Sequence, residues 1–271
     1  MDRINEAFAA LRERGQAALI PFLTLGDPDL ATTLDIMEAM AASGADLLEL
    51  GVPFSDPTAD GPVLQKASEI ALQAGASLPR ALELVATFRK RHSLPVILYG
   101  YYNPIFRYGP ERFARDAREA GVDAVLVVDL PPEEASELRT FTAPAGIHFI
   151  FLLAPTSDET RIAKVLTQAS GFIYYVSLTG VTGVRAVEPA AVRPTIEALR
   201  QRTEIPIGVG FGISTAEQAR SVAEFADAVV VGSAIMRLID THRGQTDLVS
   251  RVADFVAQLK AGVASARSGL S

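Results

Sequence analysis

The sequence predicts an α/β fold: a closed (β/α)8 TIM barrel with an extra N-terminal helix and additional helices. Three observations predict it. A unit recurs along the chain in which a helix closes on glycine or a small residue, a short apolar run follows, and a polar loop comes next. Ala42-Ser43-Gly44-Ala45-Asp46-Leu47-Leu48-Glu49-Leu50 matches Glu119-Ala120-Gly121-Val122-Asp123-Ala124-Val125-Leu126-Val127, and the runs Gly171–Val176 and Ala226–Val231 repeat it. These runs are apolar on both faces, as parallel strands covered by helices must be. The chain has 271 residues, 49% of them apolar, which suits one barrel of roughly 250 residues plus a few extra helices.

Eight strands are expected, at Ala18–Leu25, Asp46–Leu50, Val96–Gly100, Ala124–Val128, His148–Leu152, Phe172–Val176, Ile207–Gly210 and Ala228–Val231. Helical patterns separate them, and eight alternating units favour a closed barrel over a doubly wound sheet. Asp27 before Pro28 reads as an N-cap with proline at the first helical position, and Asp158 as a second cap. Two helical stretches lie between the second and third strands, broken near Gly75-Ala76-Ser77. One amphipathic stretch precedes the first strand, and another, Thr246–Leu259, follows the last. Residues 1–271 are read as one domain with no low-complexity linker, and the small, polar tail from about Ala261 is expected to fray.

Composition narrows the function. A net charge of −7 argues against nucleic acid, because counterion-release binding needs a basic face. There is no run of about 18 apolar residues to span a bilayer and no apolar signal segment after Met1, so a soluble cytoplasmic enzyme is expected. With no cysteine, thiolate chemistry is excluded. Lys66, Lys90, Lys164 and Lys260 all fall in helical segments, so none is placed for a Schiff base in a barrel mouth. His92, His148 and His242 show no ligand spacing, and no metal site is expected. Gly208-Val209-Gly210-Phe211-Gly212 lacks the spacing of a dinucleotide fingerprint. Proton transfer is left to carboxylates and tyrosines.

A barrel carries its active site at the carboxyl ends of its strands. Glu49 sits in the last turn of the second strand between leucines. An inward glutamate there has a raised pKa suited to acid/base work, or it is a buried structural residue paired with an arginine. Position alone leaves both open. Asp60 lies in Pro53-Phe54-Ser55-Asp56-Pro57-Thr58-Ala59-Asp60-Gly61-Pro62, a loop long enough to fold over the mouth, but before Gly61-Pro62 it also looks like a helix cap, the reading that position favours. Glycine-bearing loops follow the last three strands: Gly180-Val181-Thr182-Gly183, Gly210-Phe211-Gly212 and Gly232-Ser233. Together they suggest a phosphate cradle of backbone N–H groups and a helix N-terminus. The loop from Thr179 to about Val192, with Arg185, is expected to order over bound ligand. Phe22, Tyr101, Tyr174 and Phe211 are aromatics near strand ends, able to hold a flat substrate or simply to pack the core.

The stretch Leu48-Glu49-Leu50-Gly51-Val52-Pro53-Phe54-Ser55-Asp56-Pro57-Thr58-Ala59-Asp60-Gly61-Pro62 resembles the signature of the tryptophan synthase alpha-chain family. Pro21–Pro28, Tyr101-Tyr102-Asn103-Pro104, Val128-Asp129-Leu130-Pro131, Ser177–Gly183 and Gly210–Ile213 extend the resemblance over essentially the whole chain up to the tail. It implies a lyase that cleaves indole-3-glycerol phosphate to indole and glyceraldehyde 3-phosphate, with Glu49 as acid/base and Asp60 as second catalytic carboxylate. By the same resemblance Phe22, Tyr101, Tyr174 and Phe211 match the indole pocket. Gly183, Gly212, Gly232 and Ser233 match the phosphate cradle, and Thr182 a residue that closes onto Asp60. Tyr99 stands where some members carry a smaller aliphatic residue. No cofactor is implied in this chain; pyridoxal phosphate (PLP) is expected in a partner beta chain, within an alpha-beta-beta-alpha assembly. The alternatives are a stand-alone indole-releasing lyase, another phosphate-binding barrel enzyme of amino-acid biosynthesis, and a weakly active regulatory subunit.

Overall fold

The computed structural model describes residues 2–176, 189–210 and 212–266. In chain order the elements are α1 (Arg3–Glu13), β1 (Ala18–Thr24), α2 (Leu30–Ala42), β2 (Leu48–Gly51), α3 (Pro62–Gln73), α4 (Leu78–Arg89), β3 (Val96–Gly100), α5 (Tyr102–Tyr108), α6 (Pro110–Ala120) and β4 (Ala124–Val127). There follow α7 (Ser136–Thr142), β5 (His148–Leu153), α8 (Glu159–Gln168), β6 (Ile173–Val176), α9 (Pro189–Arg200), β7 (Ile207–Gly210), α10 (Ala216–Ala223), β8 (Ala228–Val231), α11 (Ser233–Thr241) and α12 (Leu248–Ser265). The strands are all parallel and close in sequence order, β8 pairing with β1. The eight expected strands are therefore the eight observed, to within two residues at each end.

The inward alternation of the strands divides the apolar residues in two. One cluster fills the barrel itself: Ala18 and Ile20 of β1, Ile97 of β3, Ala124 and Leu126 of β4, Ile150 of β5, and Ala228 and Val230 of β8. The other, larger cluster lies between strands and helices. Helix α1 closes the amino end of the barrel by presenting Ile4, Phe8 and Leu11 to the interior cluster, with the Phe8 ring 5.9 Å from that of Phe172. Strand β7 contributes glycines where its neighbour contributes rings. A Cβ at Gly208 would lie 3.0 Å from Phe172, and one at Gly210 would collide with the Tyr174 hydroxyl. The Gly208-Val209-Gly210 run is thus space for the rings of Phe172, just before β6, and Tyr174 within it.

A bonding unit repeats four times at the amino rim. The N–H of Asp46 donates to Leu19 O at 3.0 Å, and the Leu19 N–H donates back to Asp46 Oδ2 at 2.7 Å. Asp123 makes the same exchange with Val96 at 3.0 and 2.8 Å, and Asp227 with Ile207 at 2.9 Å in both directions. Ser170 does so with Phe149 through its hydroxyl, at 3.1 and 2.9 Å. In every case the residue entering an even-numbered strand satisfies a backbone donor of the odd-numbered strand before it. The carboxylates are in turn neutralised: Asp46 by Lys260, Asp227 by Arg200, and Asp123 by both Arg3 and Arg89.

Two local expectations are corrected. Asp27 is not a helix cap: α2 begins at Leu30, and its cap is Asp29, which accepts the Thr32 N–H at 2.8 Å. Asp27 is instead buried and ion-paired with Arg243 of the distant α11–α12 connection. The last helix does not stop at Leu259 with a frayed tail from about Ala261. It runs to Ser265, because Gly262 lies so close to the Ala216 carbonyl that a methyl would collide with it and Val263 is buried. The segment between β3 and β4 holds two helices parted at Gly109, whose φ of +95° suits glycine. Asp158 does cap α8, accepting the Arg161 N–H at 2.7 Å.

The Asp123 cluster generates a stability test. Asp123 is 6% exposed and joins α1, α4, β3 and β4. Asp123→Ala should lower stability by about 3 kcal/mol, as removal of one partner from a buried charge pair does. Breaking the exposed Arg80–Glu83 pair should cost less than about 1 kcal/mol. Urea midpoints of the two variants test the contrast.

Candidate active site

The last inward position of each strand faces the carboxyl-end mouth, and there the interior stops being purely aliphatic. Near the top of the inward columns stand Phe22 of β1, Glu49 of β2, Tyr99 of β3 and Tyr174 of β6. Phe22 and Glu49 are register partners on adjacent strands. The Phe22 ring meets Tyr99 edge-on, with centroids 5.3 Å apart and planes at 82°.

Glu49 is 2% exposed, and its Oε1 has no hydrogen-bond partner among the described residues. No described arginine or lysine pairs with it, so the structural ion-pair alternative finds no support there. Burial pushes its carboxyl up to about 8, and the negative charge of Asp60 adds to the effect. Near neutral pH the group is mainly protonated and sits close to the point at which it both gives and takes a proton. It also borders Tyr174, whose hydroxyl is driven well above its ordinary value by burial and then by the Glu49 charge.

Asp60 is not the cap of α3. That helix begins at Pro62, its cap is Gly61, and no side chain bonds its first turn. The Asp60 carboxylate turns inward and accepts hydrogen bonds from Tyr99 at 2.5 Å through Oδ1 and from Tyr101 at 3.1 Å through Oδ2. The Tyr101 hydroxyl also accepts the Ala59 N–H at 3.0 Å, and Gln65 of α3 donates to the Asp60 carbonyl at 2.8 Å. Two rings from the end of β3 and one helix therefore hold the loop in place. Burial raises the Asp60 carboxyl above its usual range, while both phenols pull it back down.

Sequence reasoning named Tyr101 as a pocket aromatic and flagged Tyr99 as a departure. It did not foresee that both donate to Asp60. The period-two run Ile97, Tyr99, Tyr101 was the available signal, because it aims both rings toward one end of the barrel. Gly51 is a second position whose role was missed: a Cβ there would lie 2.6 Å from Phe22 Cζ, so glycine preserves the Phe22 rotamer beside Glu49.

Across the mouth, α11 opens at Ser233 behind Gly232, with no side chain capping its first turn. Its orphan N–H groups and positive end suit an anion. The end of α10 differs, being satisfied by Thr215, which accepts the Gln218 N–H at 3.2 Å. Gly232 packs its backbone against Phe22, 3.4 Å from where a Cβ would sit, so the helix end and the aromatic floor are neighbours. Gly212 has φ +45° and is exposed. Thr182, Gly183 and Phe211, and the loop expected to close over ligand as far as residue 188, including Arg185, lie outside the described residues; its last residues, 189–192, are not loop but the first turn of α9. Among the described residues no three His, Cys, Asp or Glu side chains gather as a metal-ligating group.

The chain matches the family model described as Tryptophan synthase alpha chain over residues 8–264. It is 54% identical over 263 residues to the tryptophan synthase alpha chain of Geobacter sp. (strain M21), covering 97% of this chain and 98% of the relative. It is 52% identical over 264 residues to that of Burkholderia multivorans, covering 97% of each. Among solved structures it is similar to tryptophan synthase subunit alpha from Legionella pneumophila, with a TM-score of 0.91, 37% identity, and coverage of 97% of this chain and 98% of the other. It is also similar to the aminoacrylate-bound form of tryptophan synthase from M. tuberculosis, with a TM-score of 0.87, 32% identity, and coverage of 97% and 100%.

The Gly51–Phe22 contact yields a direct test. Gly51→Ala should displace the Phe22 ring, costing about 1–3 kcal/mol by overpacking and weakening uptake of a flat aromatic ligand such as indole. Gly100→Ala is the control, since its methyl would meet only Val52, at an ordinary 3.5 Å. Indole fluorescence reads binding directly, because the chain has no tryptophan.

Proposed function

The chain belongs to the tryptophan synthase alpha-chain family, lyases of tryptophan biosynthesis that cleave indole-3-glycerol phosphate, and from that premise we propose that Glu49 and Asp60 carry the alpha reaction here. The observation that carries the assignment is a glutamic acid sealed at the barrel mouth, with one oxygen unpartnered and a second carboxylate held across from it. Among the described residues that oxygen has no partner, which leaves it free to exchange a proton with a substrate.

The chemistry divides between them. Protonated Glu49 delivers its proton to C3 of the indole ring, leaving positive charge toward the ring nitrogen, which ionised Asp60 stabilises while accepting the N–H. Glu49, now a carboxylate, takes the proton of the side-chain hydroxyl. The bond to C3 breaks, its electron pair returns to the ring, and indole and glyceraldehyde 3-phosphate result. The ring is the electron sink, so the reaction calls for neither a lysine nor a cofactor in this chain. Phe22, Tyr101, Tyr174 and Phe211 are proposed to bound the indole, and Gly183, Gly212, Gly232 and Ser233 to cradle the phosphate. Thr182 is proposed to close onto Asp60. Residues 1–271 are proposed to form one domain.

The family implies a beta-chain partner. We assign it the same rim: Asp56, Asn103 and Phe106 are exposed there, Phe106 at 56%, and Asp129 accepts the Tyr102 N–H at 2.7 Å, linking two of the rim loops. An exposed phenylalanine beside an active-site mouth is a natural contact. Indole is apolar and leaks through membranes, so direct handover to a PLP-bearing beta chain in an alpha-beta-beta-alpha assembly has a physical advantage. No helix among the described residues is long and apolar enough to cross a membrane, in keeping with the cytoplasmic setting proposed here.

Two measurements test this reading. Glu49→Gln should abolish indole release while keeping the fold, and Asp60→Asn should lose about 10²–10⁴-fold. Because the protonated form of Glu49 starts the reaction, activity should decline as pH rises through about 8. Near-normal turnover by Glu49→Gln would sink the mechanism. Separately, titration with the cognate beta chain should raise the rate per alpha chain about 5- to 150-fold. A flat rate with a demonstrated complex would remove the coupling, and a fast lone chain that forms no complex would identify a stand-alone lyase.

A further inference from the structure

We propose that Tyr99 is a positioning residue for the alpha reaction: its hydroxyl, donating to Asp60 Oδ1 at 2.5 Å, keeps that carboxylate ionised and fixed in plane at the barrel mouth. The proposal rests on the assignment of Asp60 given above.

Tyr99 is the last inward residue of β3. Its ring belongs to the barrel interior and is braced edge-on against Phe22, so packing fixes the direction of its hydroxyl. The two phenols divide the loop between them. Tyr101 holds both the backbone, through the Ala59 N–H, and Oδ2, at the longer 3.1 Å. Tyr99 bonds the other oxygen at a distance typical of a hydrogen bond to an ionised acceptor. One donor on each oxygen fixes the carboxylate plane, and about two of its four acceptor directions remain for a substrate N–H.

The charged groups around Asp60 make such donors necessary. Glu49 faces it from β2, Tyr99 and Tyr101 from β3 and its end, and Asp129 lies near Tyr101 from the loop after β4. Tyr174 faces Glu49 from β6. No described cation pairs with Asp60, so its charge is supported by the two hydroxyls. Burial and the neighbouring carboxylate keep the Tyr99 phenol far above its ordinary value. It therefore remains a donor over the whole working range and never competes as a base. Where family members carry a smaller aliphatic residue, this bond cannot form.

Tyr99→Phe keeps the ring and removes only the donor. It should lower kcat/KM for indole-3-glycerol phosphate by about 10- to 100-fold, the effect of one hydrogen bond to a charged group, with the loss in kcat. The acid limb of the pH profile should move to higher pH, because Asp60 loses a bond that favours its ionised form. The alkaline limb, set by Glu49, should hold its place. Tyr99→Leu should lose more, having neither ring nor hydroxyl. A Tyr99→Phe enzyme with wild-type kcat/KM and acid limb, measured beside an inactive Asp60→Asn, overturns the proposal and leaves the role of Asp60 standing. So does a loss confined to KM or to the denaturation midpoint with an unmoved acid limb, the mark of simple packing. Full activity in Asp60→Asn would remove the underlying assignment instead. If Tyr99→Phe does not fold, proton NMR of the unsubstituted chain decides. A downfield, exchange-protected phenolic proton should survive Tyr101→Phe and vanish in Asp60→Ala, and its absence from the unsubstituted chain overturns the bond.

Discussion

A carboxyl group shut away from water, with no cation beside it among the described residues, is driven to hold its proton, and the mouth of this barrel is built around that constraint. Glu49 lies at the top of a column of apolar side chains, and the nearest comparable group is another carboxylate. Two negative charges so placed cannot both be stable in a medium of low polarity. The protein resolves the conflict by giving them different surroundings. Asp60 receives two phenolic donors and partial contact with solvent, while Glu49 is almost wholly buried and its Oε1 finds no donor among the described residues. One carboxyl is thereby biased toward the ionised form and the other toward the acid, the separation of roles that an acid/base pair needs.

The separation depends on side chains that have no chemistry of their own. Inward positions alternate up each strand, so whatever occupies the top one is aimed at the mouth. Phe22 walls one side of Glu49, and it keeps its place because Gly51 leaves room for it. Tyr174 stands upright because Gly210 offers no side chain to meet its hydroxyl. At the opposite rim, the four reciprocal bonds entering the even-numbered strands lock neighbouring strands in pairs. A hydrogen bond of 2.5 Å between residues on different elements needs the register of β3 relative to the loop after β2 to be fixed closely. The amino rim supplies that rigidity at the end of the barrel where no chemistry is lost by it.

How far all this was legible in the sequence depended on whether the partners were local. The strands were legible because a short apolar run after a helix-ending glycine is a local pattern. Glu49 stood out because a charge inside such a run has nowhere to go but the barrel. The carboxylate of Asp60 was ambiguous by position, since Asp-Gly-Pro has the local form of a helix start, and only the family resemblance favoured catalysis. Its actual partners are hydroxyls 39 and 41 residues away. Asp27 was misread for the same reason: Asp-Pro looks like a cap, and Arg243 lies 216 residues along the chain. Ser170 belongs to the same rim device as Asp46, Asp123 and Asp227, but with a hydroxyl in place of a carboxylate it shares no residue type with them along the chain.

A tyrosine at position 99, rather than an aliphatic residue, would let one fold tune the pair of acids proposed here. An aliphatic residue at that position would shape the pocket without touching the charge of Asp60, leaving Tyr101 to support it. A tyrosine keeps a comparable wall, since the ring still packs on Phe22, and adds a donor at its tip. The cost is a buried hydroxyl, which is unfavourable unless it finds an acceptor, and the acceptor it finds is the carboxylate that lies deepest in the loop. The ring and the loop therefore depend on each other: without Asp60 the hydroxyl is stranded, and without the hydroxyl Asp60 leans toward its neutral form. Such mutual dependence orders the loop from within the chain, so part of the arrangement that binds a substrate is set by the protein's own contacts.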